Sequence, residues 1–430
     1  LTSDRYAPLP PTQRGTVHSI GSELDRAYMD RLATLVLDPD RARPASDLRI
    51  VFSPIHGTGG VIVPPMLERL GFSFTTVESQ EIPDGRFPTV KSPNPENAEA
   101  LSLALALAEV ERADLVLATD PDCDRMGAAI RNSRGDMQLL TGNQIGSLLA
   151  YYRTRKLFEQ GVLTDANRHR AVLIKTFVTT DLQKAIADHL GVRCVETLTG
   201  FKYIGEKLTK YEHALPPEAR QDYVTRSEAE TRSLRLAHSI FYICGGEESY
   251  GYSGADFVRD KDGNGAVVMF AEIAGWAKGR GMTLDQVLDE IYTSCGFHWE
   301  KNAALTFEGA EGSAKIRHLA ASYAATPPKV ADGTAVSSFR DFAREDIQDS
   351  EGDLVPKESM LMVDLADGRR FAVRPSGTEP KIKYYLFGRR IPTAGQALAA
   401  AELVRAKSEV PAALDALWAW LQEDAHIRLG

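Results

Sequence analysis

Asp114-Leu-Val-Leu-Ala118 runs directly into Thr119-Asp-Pro-Asp-Cys-Asp-Arg-Met126. The short apolar run reads as a buried parallel strand, because a strand covered on both faces carries continuous rather than alternating hydrophobicity. The loop after it sets Asp120, Asp122 and Asp124 at alternate positions. So much negative charge at one strand end repels itself unless a cation collects it. Carboxylate oxygens with no neighbouring histidine or thiolate pair suit Mg²⁺, which in such sites usually serves phosphate chemistry.

Outward from this loop the chain alternates strands and helices. Toward the N-terminus the pattern predicts strands near Leu48–Phe52 and Ser73–Val77, with helices over Val61–Leu70 and Pro95–Glu111. A helix from Ser22 places Leu24, Ala27, Tyr28, Leu32 and Leu35 in helical spacing. After Asp124 a hairpin is expected, Met126–Arg131 with Asp136–Leu140. The alternation then restarts: helix Asn143–Phe158, strand Ala171–Lys175, helix Thr179–Leu190, strand Val192–Glu196, helix Tyr203–Tyr211. Pro216–Arg235 reads as an exposed charged insertion, followed by strand Ser239–Ile243 and helices Ala266–Gly279 and Thr283–Tyr292. Beyond Phe297 alternating strands take over, including Ser359–Asp364 and Arg369–Val373 joined at Asp367-Gly368, with helices over Gly312–Tyr323 and Ala394–Ser408. The expectation is an α/β protein: two successive mixed α/β layer domains (21–138 and 139–296), then a smaller α+β C-terminal domain (297–430). Residues 1–20, polar and proline-rich, read as a linker.

Composition agrees with a globular enzyme. The 430 residues are 43% hydrophobic and 25% charged, with formal charge −9, which speaks against a nucleic-acid partner. No apolar stretch reaches the ~18 residues of a membrane span and no signal peptide opens the chain, so the expected location is the cytoplasm. The four cysteines stand singly, without a C-x-x-C pair. The sequence carries no signal for an oligomeric state.

Three more loops carry chemistry. Cys244-Gly-Gly-Glu-Glu-Ser-Tyr-Gly251 follows a strand, and its Glu247 and Ser249 offer an acceptor and a donor for sugar hydroxyls. Just beyond it, Arg259 and Lys261 lie on one side of an extended segment, a pair suited to a phosphate. Val373-Arg-Pro-Ser-Gly-Thr-Glu-Pro-Lys381 packs Arg374, Ser376, Gly377 and Thr378 into five residues between strands, which points to phosphate binding through a fork, two hydroxyls and a backbone nest. Ser53-Pro-Ile-His-Gly-Thr-Gly-Gly60 sits at a helix start where amides favour anions, though Ile62 breaks the dinucleotide pattern G-x-G-x-x-G. Within it His56 reads first as a structural hydrogen-bonding residue. Lys202, in Thr197-Leu-Thr-Gly-Phe-Lys202, could select a substrate.

Taken in order, D-P-D-x-D-R, G-E-E-S and R-P-S-G-T, with H-G-T-G-G and T-G-F-K between strand and helix, resemble the α-D-phosphohexomutase superfamily over nearly the whole chain. E-E-S-Y-G-Y followed by D-F-V-R-D-K-D-G is similar to its phosphoglucomutase-2 and phosphopentomutase branch. The resemblance implies a phosphoserine enzyme: Asp120, Asp122 and Asp124 holding one Mg²⁺, Arg125 beside the transferring group, Lys202 choosing substrate orientation, Glu247 and Ser249 on the sugar, and Arg374, Ser376, Gly377 and Thr378 on the idle phosphate. A sugar bisphosphate would be intermediate and activator, and a sugar phosphate the substrate. The family's nucleophile stands in a Ser-His-Asn-Pro-like loop, yet none of the nine histidines here precedes asparagine. The chain is therefore expected to lack the N-terminal phosphoserine domain and its general base, and to be inactive alone. Cys123 replaces a small family residue, which suggests sensitivity to Cd²⁺ or Zn²⁺. The leading expectation is phosphoglucomutase, interconverting glucose 1-phosphate and glucose 6-phosphate. The alternatives are a phosphopentomutase and a non-catalytic sugar-phosphate-binding paralogue. A dinucleotide-dependent oxidoreductase is disfavoured by the glycine spacing.

Overall fold

The computed structural model describes residues 9–39, 48–377, 379–393 and 396–430. Its first sheet takes β1 (Arg49–Ser53), β2 (Ser73–Thr76), β3 (Leu115–Thr119), β4 (Met126–Arg131) and β5 (Met137–Leu139) in the order β2-β1-β3-β4-β5. The first three are parallel, and the β4–β5 hairpin extends them antiparallel. Every residue of β3 is buried, as its unbroken apolar run requires. The second sheet takes β6 (Ala171–Thr176), β7 (Arg193–Thr197), β8 (Phe241–Gly246) and β9 (Tyr252–Ser253) in the order β7-β6-β8-β9, with β6 parallel to both β7 and β8. In both sheets the chemistry-bearing loops leave the carboxyl ends of strands, the usual ligand-facing edge of an open α/β sheet.

One helix ties these two units together. Gly263–Gly279 buries residues on all sides, from Ala266 to Ala277, and packs against helices Gly59–Arg69 and Gly142–Glu159 within a core cluster shared by both units. A helix apolar all round belongs in an interior. The expected architecture of two α/β layers and a smaller third unit is the observed one. That third unit is a six-stranded antiparallel sheet built from β10 (Phe297–Thr306), β11 (Val330–Ala331), β12 (Thr334–Asp341), β13 (Leu361–Leu365), β14 (Arg370–Pro375) and β15 (Lys381–Arg390), in the order β10-β15-β14-β13-β12-β11. Helices Gly309–Ala325 and Ala400–Leu429 cover one face, where Leu414, Leu417, Leu421 and Ala425 meet Ile382, Tyr384 and Leu386.

Some elements depart from expectation. The helix expected from Pro95 starts at Ser102, because Asn94 accepts the Glu96 and Asn97 amides and folds the intervening residues into turns. The helix expected from Thr179 begins at Leu182, its start capped by the Thr180 hydroxyl accepting the Leu182 amide at 3.1 Å. Pro216–Arg235 is largely helical. Ser227 and Glu230 form a capping box for helix Glu228–His238, and the buried Arg235 donates to Asp256 at 2.6 Å and to the Tyr223 hydroxyl at 2.7 Å. The final helix runs from Ala400 to Leu429 through Pro411. Its buried stripe offsets the roughly 3 kcal/mol a proline costs inside a helix. Ala394, Gly395 and residues 1–8 of the expected linker lie outside the described residues.

Candidate functional site

The aspartate loop folds onto itself. Asp120 is buried at the end of β3, and its Oδ1 accepts the amides of Asp124 at 3.0 Å and Arg125 at 2.9 Å. A carboxylate oxygen from each of Asp120, Asp122 and Asp124 lies within 4.8 Å of the others. Burial, with the charges of Asp124 and Asp122 added, pushes Asp120 up to about 7 against the opposing Arg125 amide. A cation among these oxygens would reverse that cost, and an all-oxygen donor set fits a hard divalent ion. Arg125 stands 3.9 Å from both Asp120 and Asp124, and its Nε is buried without a partner. Lys261 reaches in from another loop to Asp124 Oδ2 at 2.8 Å.

Cys123 does not join the cluster. Its backbone is left-handed (φ 57°), a conformation that favours glycine. The thiol is buried and lies beside the start of helix Gly59–Arg69, with Sγ 3.1 Å from where a Cβ on Gly59 would stand. Burial raises it above the ordinary thiol range, and the oxygens of this loop that gather within 4.8 Å of one another are those of Asp120, Asp122 and Asp124 alone.

The H-G-T-G-G loop supports the aspartate loop from beneath. His56, Gly57 and Thr58 donate their N–H groups to the carbonyls of Gln80, Pro54 and Pro121. The chains approach so closely that a Cβ on Gly57 would lie 2.4 Å from Pro121 Cα. His56 is buried, its Nε2 2.8 Å from the Thr89 hydroxyl, in the structural role its sequence context suggests.

Backbone contacts join the aspartate loop to the G-E-E-S loop. Met126 donates to the Tyr250 carbonyl at 3.0 Å, Arg125 and Gly251 form an isolated antiparallel bridge, and Gly263 donates to the Cys123 carbonyl at 2.9 Å. Within the G-E-E-S loop, Glu247 is buried and its Oε1 accepts the Gly200 amide at 2.6 Å, which fixes the T-G-F-K loop alongside. Burial raises Glu247, opposed by that amide and by the charges of Lys261, Arg125 and Arg374. The charges of three basic residues from three loops therefore act on one carboxylate. Ser249 is half-buried in the turn, and Lys202 is exposed with Nζ 4.8 Å from the Tyr203 ring.

Arg259 points elsewhere. It donates to the Thr209 hydroxyl at 2.8 Å and pairs with Glu212 on helix Phe201–His213, while its sequence neighbour Lys261 faces Asp124. The fourth loop follows β14. Arg374 Nε donates to Glu358 Oε1 at 2.5 Å, which turns the guanidinium. The Ser376 amide donates to the Lys381 carbonyl at 2.9 Å, and its hydroxyl accepts the Glu379 amide at 3.2 Å. Gly377 is exposed, and Thr378 lies outside the described residues. Glu358 and Lys261 owe their places to partners far along the chain, and no local pattern announces either contact.

Comparison with known proteins agrees with this layout. Residues 26–135 match the phosphoglucomutase/phosphomannomutase alpha/beta/alpha domain II, 141–295 domain III, and 329–402 the C-terminal domain of the same family. A phosphoglucomutase of Staphylococcus aureus (strain MRSA252) is 36% identical over 349 residues, covering 80% of this chain and 57% of the relative. The chain thus spans a little over half the length of the curated relatives it matches. Among solved structures, a phosphoglucomutase/phosphomannomutase family protein from Burkholderia thailandensis aligns with TM-score 0.52 at 17% identity, over 92% of this chain and 64% of that one. The phosphoglucomutase parafusin from Paramecium gives 0.54 at 17%, over 91% and 62%. No helix among the described residues is long and apolar enough to cross a membrane. By its three matched domains and the order of its loops, the chain belongs to the phosphoglucomutase/phosphomannomutase family of the α-D-phosphohexomutase superfamily.

Proposed function

We propose that these loops form the ligand cleft of a cytoplasmic, Mg²⁺-dependent phosphoglucomutase of the phosphoglucomutase-2-like branch, interconverting glucose 1-phosphate and glucose 6-phosphate. The observation that carries the reading is Glu247, a buried acceptor in one loop that feels basic residues of three others. Phosphoryl transfer asks a protein mainly to position groups and neutralise charge, and a substrate with phosphate at alternate ends needs a reacting end and a holding end.

In this reading Asp120, Asp122 and Asp124 hold one Mg²⁺, which when bound offsets charge on the transferring phosphoryl group. Arg125 turns its guanidinium to the same group, and Lys261 keeps Asp124 oriented. Glu247 accepts from sugar hydroxyls and Ser249 donates to the ring substituents, while Lys202 closes on the sugar from the T-G-F-K loop. Arg374 has spent Nε on Glu358, which leaves its terminal nitrogens as a two-donor fork for the idle phosphate, beside Ser376, Gly377 and Thr378. Arg259, held by Glu212 and Thr209, acts by fixing the segment that carries Lys261. A glucose bisphosphate serves as activator.

The test is a coupled mutase assay on the full product of the gene, with Mg²⁺ and the matching bisphosphate, comparing glucose 1-phosphate with ribose 1-phosphate. Turnover with the higher kcat/KM on glucose 1-phosphate supports the reading, and a preference for ribose 1-phosphate makes the protein a phosphopentomutase. No turnover on either from a folded protein points to a sugar-phosphate-binding paralogue. The 430-residue chain, which holds no Ser-His-Asn segment, is expected to bind sugar phosphate without turning it over; mutase activity from it would overturn that expectation.

A further inference from the structure

Glu248, next to the sugar-facing Glu247, has no role in the cleft as drawn. It is buried, and its Oε2 lies 3.4 Å from the Thr176 hydroxyl and 3.3 Å from the Thr179 hydroxyl. Those two hydroxyls are 2.8 Å apart, and the Glu248 amide donates to the Thr179 hydroxyl at 3.2 Å. Both threonines are buried. The three oxygens make three mutual contacts, and each contact takes one proton to become a hydrogen bond. Two threonines supply two. With an ionised carboxylate one contact is left as lone pair against lone pair in a dry pocket, which disfavours the charged form. With a carboxylic acid the ring closes, each oxygen donating once and accepting once.

We propose that Glu248 is a positioning residue: in its acid form it docks the sugar-binding loop onto the end of β6 through Thr176 and Thr179, and on ionising it releases that loop. The proposal rests on the reading that Glu247 and Ser249 hold the sugar. The charged surroundings favour the acid form. Burial first, then Glu247 and Glu96, raise Glu248 to about 7, against its own amide and the distant Lys383. Tyr252 and Tyr385 face it as neutral phenols, each raised by burial. Lys175 pairs with Glu196 at 2.8 Å and Asp181 at 3.2 Å, and donates to the carbonyls of Thr176 at 3.4 Å and Thr179 at 3.1 Å. Glu248 is unlike Glu247, whose amide and basic neighbours oppose the upward push.

The linkage has a definite sign. A carboxyl raised in the folded state gives stability that is present below its unfolded value of 4.5 and lost as pH rises through about 7. Glu248→Gln does not titrate, and its amide nitrogen can donate to both threonine hydroxyls, although unlike the acid O–H it cannot accept from them. The experiment records melting temperatures of wild type and E248Q across this window, together with glucose 1-phosphate binding by calorimetry. The expected result is that the melting difference, E248Q minus wild type, climbs by several degrees from pH 4.5 to about 7 and then levels. Affinity should fall severalfold in wild type between about pH 6 and about pH 8, and by clearly less in E248Q. A flat melting difference overturns the proposal whatever the ligand does. A climbing difference with no binding by either protein at any pH supports the docking ring and overturns the sugar-phosphate reading. Thr179→Val gives an independent check: it should bind at about pH 6 as weakly as wild type at about pH 8, and binding equal to wild type at about pH 6 overturns the proposal.

Discussion

The cleft is bordered by two seams of different chemistry. Between the first and second sheets the seam is backbone: the Met126 amide on the Tyr250 carbonyl, the Arg125–Gly251 bridge, and the Gly263 amide on the Cys123 carbonyl, all over one shared apolar core. Between the second and third sheets the cleft-side seam is mostly side chain. Phe177, Val178 and Leu198 meet Phe342, Met360 and Phe387, and around them Arg370 pairs with Asp181 at 2.9 Å, Arg193 with Glu351 at 2.5 Å, and Lys207 with Glu351 at 3.1 Å. Backbone contacts have short reach and one geometry, whereas charged side chains tolerate movement and feel salt. The metal and sugar loops are thus joined to each other through backbone, and the Arg374 loop is hung beside them.

The most severe way to break the contrast is at the charged seam. Asp181→Ala leaves Arg370 and the fully buried Lys175 each short of a carboxylate, and should cost about 3 kcal/mol in chemical denaturation. A negligible cost would show that the seam does not depend on this carboxylate. Next, Asp120→Ala should weaken Mn²⁺ binding, read by electron paramagnetic resonance, by ~100-fold, while Arg374→Ala leaves it unchanged. A comparable loss in both would mean that the two ends of the cleft are not independent. Gly263→Ala probes the backbone seam, because its Cβ would stand 2.7 Å from the Cys123 carbonyl oxygen and 2.8 Å from that of Arg125. A loss of about 2 kcal/mol is expected, as for overpacking, with a matching fall in Mn²⁺ affinity; a neutral result would show that the seam yields. The smallest effect belongs to Cys123→Gly. Relief of the left-handed backbone and loss of the buried thiol, each about 1 kcal/mol, should nearly cancel, and Cd²⁺ sensitivity should not change.

The same contrast explains what the sequence discloses. Strands β3 and β8 declare themselves through short apolar runs, and the loops behind them hold the aspartates and glutamates that the structure brings to one cleft. Those signals are local. The partners are not: Lys261 lies on Asp124, Glu358 on Arg374, and Asp256 on Arg235 only because remote segments fold together. Arg235 shows the consequence, since a charged, weakly apolar stretch looks solvated until this buried arginine's carboxylate partner is seen. Pro411 shows the converse. A local stop signal is overridden where Val410, Leu414 and Leu417 have a sheet to cover. Glu248 reads as a mere repeat of Glu247, and only the positions of two threonines 69 and 72 residues away give it a different environment.

The helix ending at Leu429 also sets a timetable. The strands of the first two sheets are all made by Ser253, although their shared core also takes Leu398, Leu403 and Ala406, whereas the third sheet keeps Ile382, Tyr384 and Leu386 uncovered until Leu421 and Ala425 arrive. At roughly 5–20 residues per second of synthesis, that sheet waits seconds with an apolar face bare. During this interval the bare face is open to non-native contacts, and a chaperone would have most to cover there.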